Sequence, residues 1–179
     1  MRNALPLDEM FINLVNAIYL PGLSLLVLVS FIAGIWYILK GVVRLTDSRA
    51  GAQGQLGMGT AMTFFVGTVL ISLGFMMVAF TESLFGTSDV QRYAVLAYSQ
   101  GDTQMAERAN QVLNAALKFV QLVGYIAFVR GWMILRAQAD GANVSTLGAF
   151  VHIIGGALAV NMAPLIRAFQ ETVGLEIIR

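Results

Sequence analysis

At 179 residues, with 58% hydrophobic and 12% charged side chains, the chain falls well short of the roughly 25% charged content of an ordinary soluble domain. The formal net charge of +1 is scattered and offers no nucleic-acid footprint, and a mean hydropathy of +0.75 marks a membrane protein. Cysteine is absent, which excludes disulfides and thiolate metal sites.

Residues 1–20 read as an amphipathic interfacial helix. Leu7, Met10, Phe11, Leu14, Val15 and Ile18 recur at helical spacing, with Asp8, Glu9, Asn13 and Asn16 opposite. Pro6 suits a first turn, Pro21-Gly22 reads as the break, and the early acids argue against a signal peptide. Such a helix either lies on the outer membrane surface or docks on a partner protein.

A first span follows over 21–39, without a charge, and ends at Lys40-Gly41. The link 40–57 carries Lys40, Arg44 and Arg49. A second uncharged span covers 58–80, closing a first hairpin over 21–80. Thr60, Gly67, Gly74 and Thr81 repeat every seven residues along it, with Thr63 beside them, as a small-residue seam for a neighbouring helix. The connection 81–112 reads as helical, with a short element around VQRYAVLAY and a turn at SQGDT. Its Tyr93, Val95, Leu96 and Tyr98 face either the membrane surface or another subunit.

The second hairpin and tail occupy 113–179, with spans at 113–129 and 147–166. Lys118 and Arg130 lie about 18 Å apart along a helix. Snorkelling to opposite surfaces of a ~30 Å core accounts for both, and a polar lumen is the competing reading. Arg136 shares the link 130–146 with Arg130. In the last span Gly148, His152, Gly155, Gly156 and Ala159 share one face, while Ala157 and Asn161 lie opposite, which predicts protein contact on both sides.

The short links 40–57 and 130–146 are dense in Lys and Arg, and eight of the ten acids lie in the other segments. Both links are therefore expected in the cytoplasm, with the two termini and the 81–112 connection outside. Matching positions ninety residues apart, Gly34 with Gly124, Lys40 with Arg130, Gly41 with Gly131, Leu45 with Leu135 and Gly51 with Gly141, suggest a duplicated helical hairpin. Both copies run in the same direction. The fold class expected is an all-α membrane protein of four spans in two parallel-repeated hairpins, assembling with other membrane subunits.

Enzymatic chemistry finds no footing. Catalysis needs at least two converging ionisable groups, and the spans offer neither a carboxylate nor a cysteine to pair with His152. His152 reads as a hydrogen-bonded packing residue and Asn161 as an interhelical hydrogen-bond donor. Neither a cofactor nor a metal is expected.

The stretches SFIAGIWYILKGVVRL and HIIGGALAVNM, with the four spans and the amphipathic start, resemble the IcmC/DotE and TraQ proteins. The resemblance implies a non-enzymatic component of the bacterial inner membrane within type IVB secretion and I-type conjugation systems. Its partners would be other subunits of a machine that moves DNA or effector proteins, with no sequence-specific nucleic-acid binding of its own. Hairpin geometry also suggests a pilin-like or channel-lining homo-oligomer, and a small transporter or holin-like protein is a third class.

Overall fold

A computed structural model describes residues 6–46, 57–86 and 103–174, and six α-helices account for nearly all of them. They are α1 (Leu7–Thr46), α2 (Met58–Ile71), α3 (Leu73–Phe85), α4 (Thr103–Ala139), α5 (Thr146–Val160) and α6 (Met162–Val173). Arg49, Gly51, Tyr93, Val95, Leu96 and Tyr98 lie outside the described residues.

Two long helices form the frame. Helix α1 has 40 residues and α4 has 37, so each extends more than 50 Å at about 1.5 Å per residue. That is nearly twice the ~30 Å hydrocarbon core of a bilayer. Their contacts rise together in residue number. Arg108 bonds Asp8 and Glu9, Lys118 Nζ donates to Asn16 Oδ1 at 2.8 Å, and Tyr19 Oη donates to Gln121 Oε1 at 2.6 Å. At the far end Arg44 reaches Asp140. The two helices therefore run parallel, and their C-terminal ends lie on the same side of the molecule.

The break expected at Pro21-Gly22 does not occur, because α1 runs through it unbroken. Proline removes a single i→i−4 hydrogen bond, and α4 packs alongside: a Cβ at Gly22 would meet the Leu122 methyls at 3.4 Å and 3.6 Å. Residues 7–20 are thus the N-terminal third of one long candidate span rather than a separate helix.

The stretches expected as single second and fourth spans are each bent. Helices α2 and α3 meet at 86° around Ser72, and α5 and α6 at 74° around Asn161. Either pair is a broken span or a re-entrant segment, so the molecule holds two to four candidate crossings. At the first bend the Ser72 hydroxyl and backbone N–H both bond the Thr68 carbonyl, a local arrangement typical of Ser/Gly kinks. At the second, Pro164 lacks the N–H that would have bonded the Val160 carbonyl, and Asn161 bonds the Ala157 carbonyl through both its backbone and its side chain.

Helix α2 packs antiparallel on α1, and α5 antiparallel on α4. A Cβ at Gly34 would stand 2.7 Å from the Gly67 carbonyl, and one at Gly67 would stand 3.0 Å from the Gly34 carbonyl. The same reciprocity holds between Gly124 and Gly156, at 2.9 Å and 2.7 Å. Farther along, Gly41 faces the Phe64 ring and Gly131 faces Ile153. Backbones this close gain van der Waals contact that lipid cannot supply. The apolar core lies where the pairs meet, with Val66, Leu70, Leu73 and Met77 against Tyr125, Phe128, Trp132, Ile153 and Val160.

Candidate functional site

Three polar places interrupt the apolar body. The first is the rim where α1 and α4 end. Asp140, just past α4, accepts two bonds from Arg44, at 2.6 Å and 3.1 Å, and another from Arg136 one turn back. Both guanidinium groups also approach the Thr63 hydroxyl of α2, at 3.4 Å and 3.5 Å, and Thr63 Oγ1 donates to the Gly59 carbonyl. Arg136 stacks on the Tyr37 ring at 4.7 Å. A Cβ at Gly59 would stand 2.7 Å from Asp140 Oδ1, so the carboxylate lies against the first turn of α2, the positive end of that helix. One acid thus ties three helices together.

The Arg44 hydrogen bond holds the Asp140 carboxyl below the ordinary carboxylate range. Partial burial opposes it, and the charges of Arg136, Arg44 and Lys40 reinforce it. A carboxyl depressed in the fold contributes stability that is fully present above its unfolded value of about 3.9 and lost as pH falls through the lower folded value. Thermal unfolding followed from pH 7 to pH 3 is expected to show a loss below about pH 4 that Asp140→Asn lacks, having lost that stability at every pH. An unchanged acid limb in the variant would refute this role.

The second place ties α3 to the bend at Asn161. Thr81 on α3 donates to Asn161 Oδ1 at 2.6 Å, and both side chains are fully buried. The single Thr81 hydroxyl hydrogen is shared between Asn161 Oδ1 and the Met77 carbonyl, and Asn161 Nδ2 donates to the Ala157 carbonyl, so Asn161 is the acceptor between helices rather than the expected donor. A hydrogen bond across membrane helices contributes about 0.6 kcal/mol and at most about 1.7. The double-mutant cycle of Thr81→Val and Asn161→Ala, read by thermal unfolding in detergent, is expected to return a coupling in that range. A coupling of zero would show that each group is satisfied locally.

The third place lies toward the other end of α1 and α4. Tyr19, Gln121, Asn16 and Lys118 interlock there beside a small apolar crevice of about 80 Å³ lined by Phe11, Leu14, Ile18, Phe119 and Leu122. Lys118 and Arg136 are about 27 Å apart along α4, close to one hydrocarbon thickness. Arg136 thus makes a better opposite marker to Lys118 than the exposed Arg130.

The expected packing residues divide sharply. Thr60 and Gly67 are buried, as is Thr81, but Gly74 sits past the bend with nothing within 4 Å of its would-be Cβ. The seven-residue seam is therefore interrupted at Ser72, and its Gly67 contact is used within the chain. On α5 the packed face is Ala149, Ile153, Gly156, Ala157 and Val160. Gly148 meets only the Ser145 side chain, Gly155 faces open space and His152 is half-buried, its Nδ1 paired with the Gly148 carbonyl at 2.7 Å. Within the chain, Gly156 from one predicted face and Ala157 and Asn161 from the other are buried, while Gly155 is exposed. Sequence reading missed Asp140, although its i,i+4 spacing from Arg136 was a usable signal. Among the described residues no three His, Asp or Glu side chains gather as a metal site would require. No family model, curated protein or solved structure matches the chain.

Proposed function

We propose that this chain is a non-enzymatic structural subunit of a larger assembly in the bacterial inner membrane, of the type IVB secretion or conjugation kind that its sequence resembles. In this reading it consists of two helix pairs repeated in parallel, each a long helix followed by a bent one. The reciprocal glycine pairs support the repeat, as does the placing of each bend five residues after the inner glycine, at Ser72 after Gly67 and Asn161 after Gly156. The Arg44–Asp140 pair, which holds both basic links on one side of the molecule, supports a cytoplasmic location for them under the positive-inside rule.

The observation that carries the subunit reading is the outer third of α1. With Arg44 at one membrane surface, Leu14 lies about 45 Å and Leu7 about 55 Å along the helix, beyond a ~30 Å core and beyond Asn16, the partner of Lys118. Yet Leu7, Met10 and Leu14 are all exposed along one stripe. An apolar stripe past the bilayer marks a protein contact. A photo-crosslinking residue at Leu14 in the native membrane is expected to capture a neighbouring subunit, and Glu9 replaced in the same way is expected to capture less. Crosslinks confined to lipid at both positions would overturn the reading.

A channel-lining homo-oligomer is a second reading, favoured by the bends at matching places in both halves, since interrupted helices at mid-membrane accompany permeation sites. Electron microscopy of the purified particle separates the two: a closed ring of copies supports the channel, and a single copy among other subunits supports the scaffold.

A further inference from the structure

The rim around Asp140 carries more positive charge than its internal pairing uses. Lys40, Arg44 and Arg136 gather about one carboxylate, and the charge of Lys40 is felt at Asp140 although Lys40 is exposed. Bonds to Asp140 and Thr63 engage Nη1 and Nη2 of Arg44 and Nε and Nη2 of Arg136, holding both guanidinium groups in place. On the lipid-facing side of α1, Trp36 lies one turn deeper than Lys40 and is 66% exposed, and Val43, one turn beyond Lys40, is 64% exposed. An indole and an aliphatic side chain flanking an exposed ammonium group at a helix end present an apolar wall below a surplus of positive charge.

From this arrangement we infer that the Lys40–Arg44–Arg136 rim binds the phosphate headgroup of an anionic phospholipid, whose acyl chains lie against Trp36. The phosphodiester oxygens complement the excess of cations: the exposed Lys40 ammonium is the direct contact, and the two guanidinium groups pinned beside it add positive charge. The apolar wall selects a lipid over a free anion, because inorganic phosphate gains nothing from Trp36. This inference rests on the membrane-spanning reading, not on the identity of the larger assembly.

The test uses the full chain purified in mild detergent, with thermal unfolding measured after adding phosphatidylglycerol, phosphatidylcholine or inorganic phosphate. Phosphatidylglycerol is expected to raise the midpoint in a saturable way, and the other two are not. Lys40→Gln is expected to weaken the apparent affinity about fivefold, the worth of one cation at a membrane surface. Lys40→Arg is expected to restore it, and Lys118→Gln at the opposite end to leave it unchanged. Equal stabilisation by phosphatidylcholine, an equal response to inorganic phosphate, or an undiminished response in Lys40→Gln would each overturn the inference. A scaffold that fails to recruit other subunits but still prefers phosphatidylglycerol would sink the proposed function and leave this site standing.

Discussion

Gly156→Leu is expected to prevent α5 from packing on α4, while Gly155→Leu, one residue away, is expected to be tolerated. A Cβ at Gly156 would stand 2.6 Å from the Phe128 backbone nitrogen, 2.7 Å from the Gly124 carbonyl oxygen and 2.9 Å from the Phe128 Cα. Every one of these is a backbone atom, so no side chain can swing aside. The helices must separate, and separation opens the contacts that Ile153, Ala157 and Val160 make with the core around Phe128. Overpacking of this kind costs about 3 kcal/mol or more, a large fraction of the stability of a small domain. At Gly155 nothing lies within 4 Å, and leucine there faces lipid, so the change is expected within about 0.5 kcal/mol. Fluorescence-detected size exclusion after a heating series is expected to show Gly156→Leu lost at low temperature and Gly155→Leu at the wild-type midpoint. Equal midpoints would mean that this face is not the packed one. The corresponding contrast in the first half is Gly67→Leu against Gly74→Leu. Because Gly67 and Gly156 are spent inside the chain, loss of assembly in these variants would follow from loss of the fold.

The glycines were legible in the sequence because close backbone approach in a membrane has almost no other solution. Gly34 and Gly124, and Gly41 and Gly131, do hold matching places on the two long helices. The bends were not legible as bends. Ser72 sits in an uncharged apolar run with no proline near it, and hydropathy is blind to a hydroxyl that bonds its own helix four residues back. Pro164 was visible, but a proline within an apolar run does not by itself fix a bend, since α1 passes through Pro21 unbroken. Pro21 misled in the opposite sense: a proline and a glycine in sequence read as a stop, yet the neighbouring long helix holds α1 intact through them. In the sequence the rim cations Lys40, Arg44 and Arg136 read only as charges of two basic links, since Asp140 is distant from Arg44 and counts as a minority charge in its link. Pairing across 96 positions is a tertiary fact.

Asp140→Ala is expected to be the most damaging change at the rim, and more damaging than Arg44→Ala. Arg44 contributes one of two guanidinium groups on the carboxylate, so its removal leaves Asp140 paired with Arg136. Removing Asp140 leaves both cations facing each other beside the positive end of α2, with nothing to neutralise them. Side-chain exposures of 11% for Arg136 and 31% for Arg44 reduce the cost below that of a fully buried pair, to about 1–3 kcal/mol. The decisive comparison is the double variant. If the penalty is uncompensated positive charge, Arg44→Ala in the Asp140→Ala background is expected to recover part of the lost midpoint, a sign reversal that loss of packing cannot produce. An additive loss in the double variant would show that the rim is held by apolar contacts and that its charges are incidental.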